Sequence, residues 1–397
     1  MEKVSDRINK LAVSETLAMS QKSKDLKSKG INVINLSVGE PDFHTPDFVK
    51  DAAKKAIDDN ISFYSPVPGF PDLLEAISKK LLRENGLNYA PDQIVVSNGA
   101  KHALANVLLA LIDKDDEVIV PAPYWVSYVE LVKLAEGKNV VIETTIESDF
   151  KVTPKQLSEA ITPRTRALLL CSPSNPTGSV YTHDELGAIA EVVAKHPNLF
   201  IISDEIYEHI NFVGKHESIA QFESIQDRVI IINGVSKGYA MTGWRIGFCA
   251  APKWLAKACS KLQGQMTSGA SSIAQKASAA AINSDSSYSK MMCKAFAKRR
   301  DLVLEKLSKI PGFKTNVPQG AFYIFPEVSE LFGKKHSEGE INNASDLAMY
   351  LLNTAHVALV PGGAFGAPNF IRLSYAASEN ELTEAIDRIE KAIVALK

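Results

Sequence analysis

The sequence predicts an α/β fold with a large domain, built on a mostly parallel, seven-stranded-type sheet sandwiched by helices, and a smaller α+β domain. Short apolar runs that are bounded by turn residues alternate with helical stretches over residues 46–290. Runs without polar alternation are typical of parallel strands that are buried on both faces. A chain of 397 residues also exceeds the roughly 250–300 residues at which a single core stops growing.

Six runs in the middle of the chain are predicted to be strands of this sheet: residues 94–96, 117–120, 140–142, 167–171, 199–202 and 229–232. Helices are expected between them. Thr182 and Glu185 have the spacing of a capping box, and Pro71 stands where a helix would begin, with Gly86 past its end. Strands and helices in alternation favour an α/β sandwich.

The C-terminal part has a different pattern, and we expect it to form the small domain. A charged helix is predicted over residues 287–308, and a last helix begins at the capping box of Ser378 and Glu381. Between them we expect strands over 321–325, 357–360 and 370–374 and a helix over 345–354. An N-terminal helix over 14–30 and a strand over 33–36 should pack with them. The predicted large domain is therefore 46–290, and the small domain 1–45 plus 291–397.

The composition argues against nucleic-acid, membrane and metal partners. Lys and Arg total 44 against 46 Asp and Glu, a net charge of −2, so the chain has no strong basic field. Its first residues are charged where a signal peptide would be apolar, and no apolar run approaches the ~20 residues that span a bilayer. The four cysteines show no CxxC pairing and are expected to be free thiols, which indicates a cytoplasmic protein.

Four polar clusters follow predicted strands, where open parallel sheets bind their ligands. We expect them to converge on one crevice. They are residues 97–101 (SNGAK), 172–178 (SPSNPTG), 203–207 (SDEIY) and 233–237 (NGVSK).

Each cluster has its own chemistry and its own alternative explanation. Gly99 precedes a helix whose free N–H groups favour an anion, although a glycine there can serve only the turn. Asp204 ends a buried strand with a carboxylate that needs a partner, such as a protonated ring nitrogen; a helix N-cap is the alternative. Lys237 ends another apolar strand, although most lysines lie on solvated faces. Eight residues later, Arg245 stands between glycines and can hold a phosphate through two hydrogen bonds.

Together these motifs resemble the class I and II aminotransferases. Lys237 with Gly243, Arg245 and Gly247 has the spacing of the family's pyridoxal-phosphate attachment motif. The match runs from about residue 14 to the C-terminus and implies the type I fold of pyridoxal-phosphate-dependent transferases, with the Ib branch of aspartate aminotransferases most similar. Further motifs follow in the family's order: residues 39–43 (GEPDF), 175–178 (NPTG), 204–207 (DEIY) and 372–376 (RLSYA).

The resemblance implies how the chain binds pyridoxal 5′-phosphate. Lys237 joins the cofactor through its ε-amine and acts as the base at the substrate's Cα, and Asp204 keeps the pyridine nitrogen protonated. Tyr207 and Asn175 hydrogen-bond the phenolic oxygen, and Trp125 stacks on the ring unless it is only a core aromatic. The implied phosphate contacts are the backbone of Gly99, Ala100 and Lys101, the side chains of Ser236 and Arg245, and Tyr64 from the neighbouring subunit of a homodimer.

The same resemblance implies the substrate contacts. Arg372 would bind the α-carboxylate with Gly39 packed beside it, and Lys101 would bind the distal carboxylate of an acidic substrate. The alternative for Lys101 is a surface lysine at a helix N-terminus. Four more residues complete the implied substrate site: Ser14, Thr16, Trp125 and Asn175.

The expected reaction is a ping-pong exchange of the amino group between L-aspartate and 2-oxoglutarate, which gives oxaloacetate and L-glutamate. Activity toward prephenate, or an aromatic or alanine aminotransferase, stays open, as does a β-lyase, decarboxylase or synthase that uses the same cofactor. A ligand-sensing regulator would need an added DNA-binding domain, and a non-catalytic scaffold would be expected to lack Lys237. Relatives also lead us to expect cis bonds at Ala122–Pro123 and Asn175–Pro176.

Overall fold

The structure is a computed structural model, and it describes residues 4–337 and 339–397. Residues 1–3 and residue 338 lie outside the described part. The first three belong to the charged start, and all four belong to the predicted small domain. In chain order the strands are β1 Ile34–Asn35, β2 Ile94–Ser97, β3 Glu117–Ala122, β4 Lys138–Glu143, β5 Thr165–Cys171, β6 Phe200–Asp204, β7 Val229–Gly234, β8 Gly247–Ala250, β9 Tyr323–Ile324, β10 Lys335–His336, β11 Gly339–Glu340, β12 Val357–Ala358, β13 Val360–Pro361 and β14 Ile371–Ser374.

The helices surround these strands. In chain order they are α1 Asp6–Asn9, α2 Glu15–Ser28, α3 Asp47–Asp58, α4 Pro71–Lys80, α5 Ala100–Leu111, α6 Ser127–Leu134, α7 Pro154–Ala160, α8 His183–Ala194, α9 Lys253–Met266, α10 Ser272–Ile282, α11 Ser287–Leu307, α12 Ala344–Tyr350 and α13 Glu379–Val394. The predicted capping boxes begin α8 and α13, and Pro71 is the first residue of α4. A π-helical turn extends α4 to Asn85, and Gly86 follows it in the left-handed conformation.

A seven-stranded sheet in the order β2-β8-β7-β6-β5-β3-β4 forms the centre of the fold. Its four pairings from β7 to β4 are parallel, and β8 is antiparallel to both of its neighbours. The predicted α/β class and mostly parallel sheet are therefore confirmed. All six predicted strands are present, but β8 was not predicted, because four residues beside a glycine-rich loop give too little periodicity.

Both faces of the sheet are buried, which explains why its strands have continuous apolar sequences. Along β7, Val229 and Ile231 contribute to the core on one face, whereas Ile230 and Ile232 contribute to the core on the other. Helices α4, α8 and α10 supply apolar side chains to the first core, and α5 and α9 supply them to the second. The strand ends are thus held between two helical layers.

A further core lies among the C-terminal elements. It contains apolar residues of α11 and α13 and of β9 and β14, two strands of the three-stranded sheet β13-β14-β9. Strand β1 pairs in parallel with β12, so the N-terminal segment joins the C-terminal part as expected. The predicted strand over 357–360 is divided into β12 and β13, and the helix predicted over 345–354 is α12 followed by a π-helical turn.

The two predicted cis prolyl bonds have different outcomes. The bond Ala122–Pro123 is cis, as predicted, but Asn175–Pro176 is not, and the second cis bond is Ser172–Pro173. The prediction for Asn175–Pro176 was wrong. Every X-Pro bond is compatible with either isomer, so a segment with two prolines three residues apart does not itself show which bond is cis.

A close backbone approach joins the sheet to the N-terminus of α5. A Cβ atom on Gly247, the first residue of β8, would collide with the backbone nitrogen of Ala100, the first residue of α5. Glycine is therefore required at this position, because the atoms that the Cβ would meet belong to the backbone of Gly99 and Ala100. The approach determines where the first turn of α5 lies relative to the loop that precedes β8.

We expect Gly247→Ala to lower the free energy of unfolding by about 2 kcal/mol or more, because overpacking against backbone cannot be relieved by a side-chain rotation. Urea unfolding monitored by circular dichroism measures this change. Gly243→Ala is the matched control, since a Cβ on Gly243 would meet nothing within 4 Å. Equal stabilities of the two variants would contradict the predicted collision.

Candidate active site

A cavity of about 530 Å³ opens at the carboxyl ends of β2, β5, β6 and β7, where the four polar clusters were expected to converge. Most of the predicted site residues line it together. Gly99, which precedes Ala100, is not among the lining residues, and neither is Tyr64, which lies on the surface. The predicted residues that line the cavity are Ser14, Thr16, Gly39, Ala100, Lys101, Trp125, Asn175, Asp204, Tyr207, Ser236, Lys237, Arg245 and Arg372.

Lys237 lies in the loop after β7, and its amine points into the cavity. The Nζ atom donates a hydrogen bond of 2.7 Å to the backbone carbonyl of Gly39. Burial lowers the pKa of Lys237 to about 8; Glu40 opposes this shift, and Arg245 and Arg372 add to it. A sizeable fraction of the amine is therefore neutral near pH 8, and the neutral form is the one that acts as a nucleophile or base.

Asp204 is the last residue of β6 and is only 4% exposed. The hydroxyl of Tyr128 donates to its Oδ2 at 2.7 Å, and the backbone N–H of Ile206 donates to Oδ1 at 3.2 Å. Burial raises the pKa of Asp204 to about 6, although these two hydrogen bonds lower it. No ion pair to Asp204 forms among residues 4–337 and 339–397, so the carboxylate would gain from a cationic partner in the cavity.

The first turn of α5 and Arg245 form a cradle for an anion. Gly99 precedes the helix with φ of +87°, and the first N–H groups of a helix have no carbonyl partner within it. The Arg245 guanidinium donates to the carbonyls of Thr242 at 2.9 Å and Asn98 at 3.3 Å. Residues with a side chain rarely adopt this positive φ, and a Cβ on Gly99 would also displace the guanidinium, so glycine is favoured there.

Arg372 on β14 is 2% exposed, yet it forms no ion pair within the described ranges. Its guanidinium donates to Asn175 Oδ1 at 2.9 Å and to the Ser37 carbonyl at 2.6 Å, while its Nε has no partner. It lies over the rings of Tyr323 and Phe365, 4.5 and 5.0 Å from their centroids. An unneutralised, buried guanidinium with a free donor is suited to bind a carboxylate.

Tyr207 and Tyr323 connect the lysine to this arginine. Their hydroxyls share a hydrogen bond of 2.8 Å, and the Lys237 Nζ lies 6.0 Å from the ring centroid of Tyr207. Burial, and then Tyr323, raise the pKa of Tyr207 well above its ordinary value. A Cβ on Gly39 would collide with the Tyr323 hydroxyl, so the glycine allows this tyrosine to approach the site.

The outer part of the cavity carries a second basic position. Lys101 lies in the first turn of α5, and its Nζ is 4.9 Å from the ring centroid of Trp125. Desolvation, and then repulsion from Arg245, lower its pKa. Ser14 and Thr16, at the start of α2, line the same cavity.

Charge is the property that unites the cavity. Four cationic side chains reach it, and none of them has a carboxylate within ion-pair distance in the part of the chain that the structure describes; they are Lys101, Lys237, Arg245 and Arg372. This arrangement is complementary to a ligand with several separate anionic groups.

Several residues that line the cavity were not among the predicted site residues, and three of them lie beside predicted ones: Tyr128, Cys171 and Tyr323. Tyr128 stands three residues after Trp125, and this spacing could have indicated a shared face. Cys171 is paired with Asp204 in the register of β5 and β6, and burial raises its pKa to about 12. Tyr323 lies on a two-residue strand, and no sequence signal indicated that it would reach Tyr207.

Tyr64 is the predicted residue that the chain does not bring to its own cavity. Its side chain is 96% exposed, and that of the adjacent Phe63 is 82% exposed. Large aromatic side chains are rarely left so open unless a partner covers them. This placement is compatible with the expectation that Tyr64 acts on a neighbouring subunit.

Residues 31–389 match the family model for aminotransferase class I and II. The chain belongs to this family. It is 47% identical over 399 residues to the bifunctional aspartate aminotransferase and glutamate/aspartate-prephenate aminotransferase of Petunia hybrida, covering 99% of this chain and 83% of that protein. Among solved structures, it is similar to an aspartate aminotransferase from Rhizobium meliloti, with TM-score 0.97, 44% identity and full coverage of both chains. The Thermus thermophilus aspartate aminotransferase with maleate has TM-score 0.93 and 39% identity, with 99% of this chain and 100% of that chain covered.

The family assignment made from the motifs is thus confirmed for this aminotransferase. No helix in the described ranges combines the length and apolar character needed to cross a membrane.

The raised pKa of Asp204 leads to a prediction about stability. Its pKa of about 6 in the folded aminotransferase lies above its ordinary value of 3.8, so the folded chain binds this proton more tightly than the unfolded chain. Ionisation of Asp204 therefore destabilises the cofactor-free fold as pH rises from about 4 to about 6. We expect Asp204→Asn to become more stable relative to the unmodified chain over this window, by on the order of 2–3 kcal/mol.

Urea unfolding of the cofactor-free protein at a series of pH values measures the difference. Asp113→Asn, which changes an exposed aspartate beyond the end of α5, controls for the loss of one surface charge. The prediction would be contradicted if the difference in the free energy of unfolding between Asp204→Asn and the unmodified chain stayed constant from pH about 4 to about 6.

Proposed function

We propose that this chain is an aspartate aminotransferase that uses pyridoxal 5′-phosphate to exchange an amino group between L-aspartate and 2-oxoglutarate. The observation that carries the proposal is the placement of three anion-binding positions around Lys237 and Asp204. They are the α5 N-terminus with Arg245, the buried guanidinium of Arg372, and Lys101 at the outer part of the cavity. A phosphate, an α-carboxylate and a distal carboxylate would each have a separate cationic partner.

The residues present fit pyridoxal phosphate. The anion cradle of Gly99, Ala100, Lys101, Ser236 and Arg245 would hold the phosphate group. Asp204 is buried without a cationic partner, as a carboxylate that faces a protonated pyridine nitrogen would be. The remaining contacts would be Asn175 and Tyr207 to the phenolic oxygen and Trp125 on the ring face.

When bound, the cofactor supplies an electron sink for charge that develops at the substrate's Cα. Lys237 would take the proton from the substrate's Cα, because its amine is desolvated and its pKa is lowered to about 8. Asp204 would hold a proton on the ring nitrogen. Arg372 would orient the α-carboxylate. Tyr207, whose hydroxyl is held by its hydrogen bond with Tyr323, would help to fix the position of the ring beside Lys237.

Substrate choice would depend on Lys101. A monocarboxylic amino acid would leave this cation without a partner inside the cavity, whereas aspartate and 2-oxoglutarate would neutralise it. The Thermus thermophilus relative is described with maleate, which is a dicarboxylate. The related protein from Petunia hybrida is named for both aspartate and prephenate, so prephenate, also a dicarboxylate, is the second candidate acceptor.

Three further proposals concern organisation. We propose a homodimer in which Tyr64 of each chain reaches the phosphate of the other, which would explain its exposure. We propose domains of 46–290 and of 1–45 with 291–397, because the two sheet cores use residues 49–282 and the third core lies mainly outside that range. We propose a cytoplasmic location, because all four cysteines are free.

Purified protein loaded with pyridoxal phosphate should absorb in the visible or near-ultraviolet range, and it should keep releasing oxaloacetate from aspartate, beyond a single turnover of each active site, only when 2-oxoglutarate is present. We expect Lys237→Ala to lower kcat by about 10³-fold or more, because the base is removed. Absorbance spectra and a coupled oxaloacetate assay measure the two effects. Pyruvate release without an acceptor would indicate a lyase, and a preference for alanine over aspartate would contradict the substrate assignment.

We expect Lys101→Ala to reduce kcat/KM for aspartate by about 100-fold, while kcat/KM for alanine changes by less than about threefold. The reason is that only the dicarboxylic substrate loses a charged partner. Half-reaction kinetics with each amino acid measure both values. Lys114→Ala, which removes an exposed lysine beyond the other end of α5, is the control. An equal loss of kcat/KM with aspartate and with alanine would show that Lys101 does not bind the distal carboxylate.

A further inference from the structure

A buried polar network lies behind the turn that follows β6. Asp204 and Tyr207 in this turn line the cavity, whereas Glu208, the next residue, does not. The Glu208 side chain is only 4% exposed, and so is that of Lys80 at the end of α4. The turn therefore connects the catalytic cavity to a charged interior on its opposite side.

Glu208 is fully engaged by three partners. Its Oε1 contacts the Lys80 ammonium and accepts a hydrogen bond of 2.8 Å from Asn233 Nδ2. Its Oε2 accepts a bond of 3.0 Å from Asn85 Nδ2, and Lys80 also donates to Asn85 Oδ1 at 2.9 Å. Burial raises the pKa of Glu208, but Lys80 and two nearby histidines more than reverse this and hold the pKa well below its ordinary value.

Asn233 connects this carboxylate to the catalytic lysine. It lies near the end of β7, four residues before Lys237, and its Oδ1 accepts a bond of 2.7 Å from the N–H of Gly234. On the other side of Lys237, the ring of His209 packs against Gly238, where a Cβ would collide with its Nδ1. Residues 208 and 209 therefore hold the lysine loop on both flanks.

The fold does not need these buried charges for its stability. A buried ion pair is often no more stabilising than apolar residues of similar size, because desolvation offsets the attraction between the charges. Glu208, Glu205 and His216 also have the spacing of metal ligands, but the Lys80 ammonium already supplies a cation to Glu208. The directional hydrogen bonds to Asn233 and Asn85 are what an apolar replacement would remove.

We propose that Glu208 is a positioning residue for the aminotransferase reaction: through Asn233 it fixes the loop that carries Lys237 against the turn that carries Asp204 and Tyr207. The proposal rests on the proposed function only for the role of Lys237 as the base. Without the acceptor on Glu208, the end of β7 would lose its link to this turn, and the amine would gain access to water.

Two double variants separate positioning from stability. Lys80→Met/Glu208→Leu removes the ion pair and the acceptor for Asn233, and it leaves no uncompensated buried charge. Lys80→Met/Glu208→Gln also removes the ion pair, but its amide oxygen can still accept from Asn233, and its amide nitrogen can donate to Asn85. Asn233→Ala breaks the same link from the other side, with the Lys80–Glu208 pair intact.

The first readout is the pH dependence of Lys237 acylation in the cofactor-free chain, measured by competitive labelling and mass spectrometry. We expect the labelling midpoint to rise by at least about half a unit in Lys80→Met/Glu208→Leu and in Asn233→Ala, because a hydrated amine titrates closer to its ordinary pKa. The Lys80→Met/Glu208→Gln midpoint should stay with that of the unmodified chain. Thermal unfolding of each variant confirms that a folded protein is being labelled.

The second readout is transamination by the loaded enzyme. We expect kcat to fall about tenfold or more in the two variants that lose the link, because a base displaced by a fraction of an ångström transfers the proton less often. Unchanged midpoints and unchanged kcat in both folded variants would overturn the proposal. If transamination is absent from the unmodified chain but the midpoints still differ, the positioning role stands and the proposed function fails.

Discussion

The structure depends on one constraint: a lysine amine and an aspartate carboxylate are both held in a desolvated cavity without forming an ion pair with each other. Burial moves the pKa of Lys237 down to about 8 and that of Asp204 up to about 6. Each group is thereby brought toward the pH range in which it can exchange or share a proton. An ion pair between them would cancel both shifts and leave neither group available to a ligand. The two ends of parallel strands β6 and β7 keep them apart while directing both into the same space.

The other charged groups of the cavity also lack an ion-pair partner among the described residues. Arg372 is buried with an unsatisfied Nε, and Arg245 lies beside an α-helix N-terminus that has no acidic side chain in its first turn. Such an arrangement is costly for the empty fold, because like charges face one another and desolvated donors have no acceptor. An anionic ligand would offset this cost, and the cavity is complementary in charge to molecules with several carboxylate or phosphate groups. The chain belongs to the aminotransferase family, and aminotransferase substrates carry carboxylate groups that this charge pattern can bind.

The layers behind the cavity determine how precisely its groups are held. Tyr128 donates to Asp204 from α6, and Glu208 ties the turn after β6 to Asn233 on β7. Glycines at positions 39, 99 and 247 allow Tyr323, Arg245 and the α5 backbone to approach more closely than any side chain would permit. These contacts connect segments that are distant in sequence. The site is therefore a property of the sheet edge as a whole.

The sequence alone determined the α/β class, six of the seven central strands, the capping boxes of α8 and α13, and the family. These features depend on local periodicity, on turn residues and on motifs at strand ends, all of which are written within short windows of the chain. Only the tertiary structure decided that β8 inserts antiparallel between β2 and β7, that Ser172–Pro173 rather than Asn175–Pro176 is cis, and that Tyr323 meets Tyr207. Those outcomes depend on which distant segments share the sheet edge and on how much space remains between them, and no local pattern specifies either quantity.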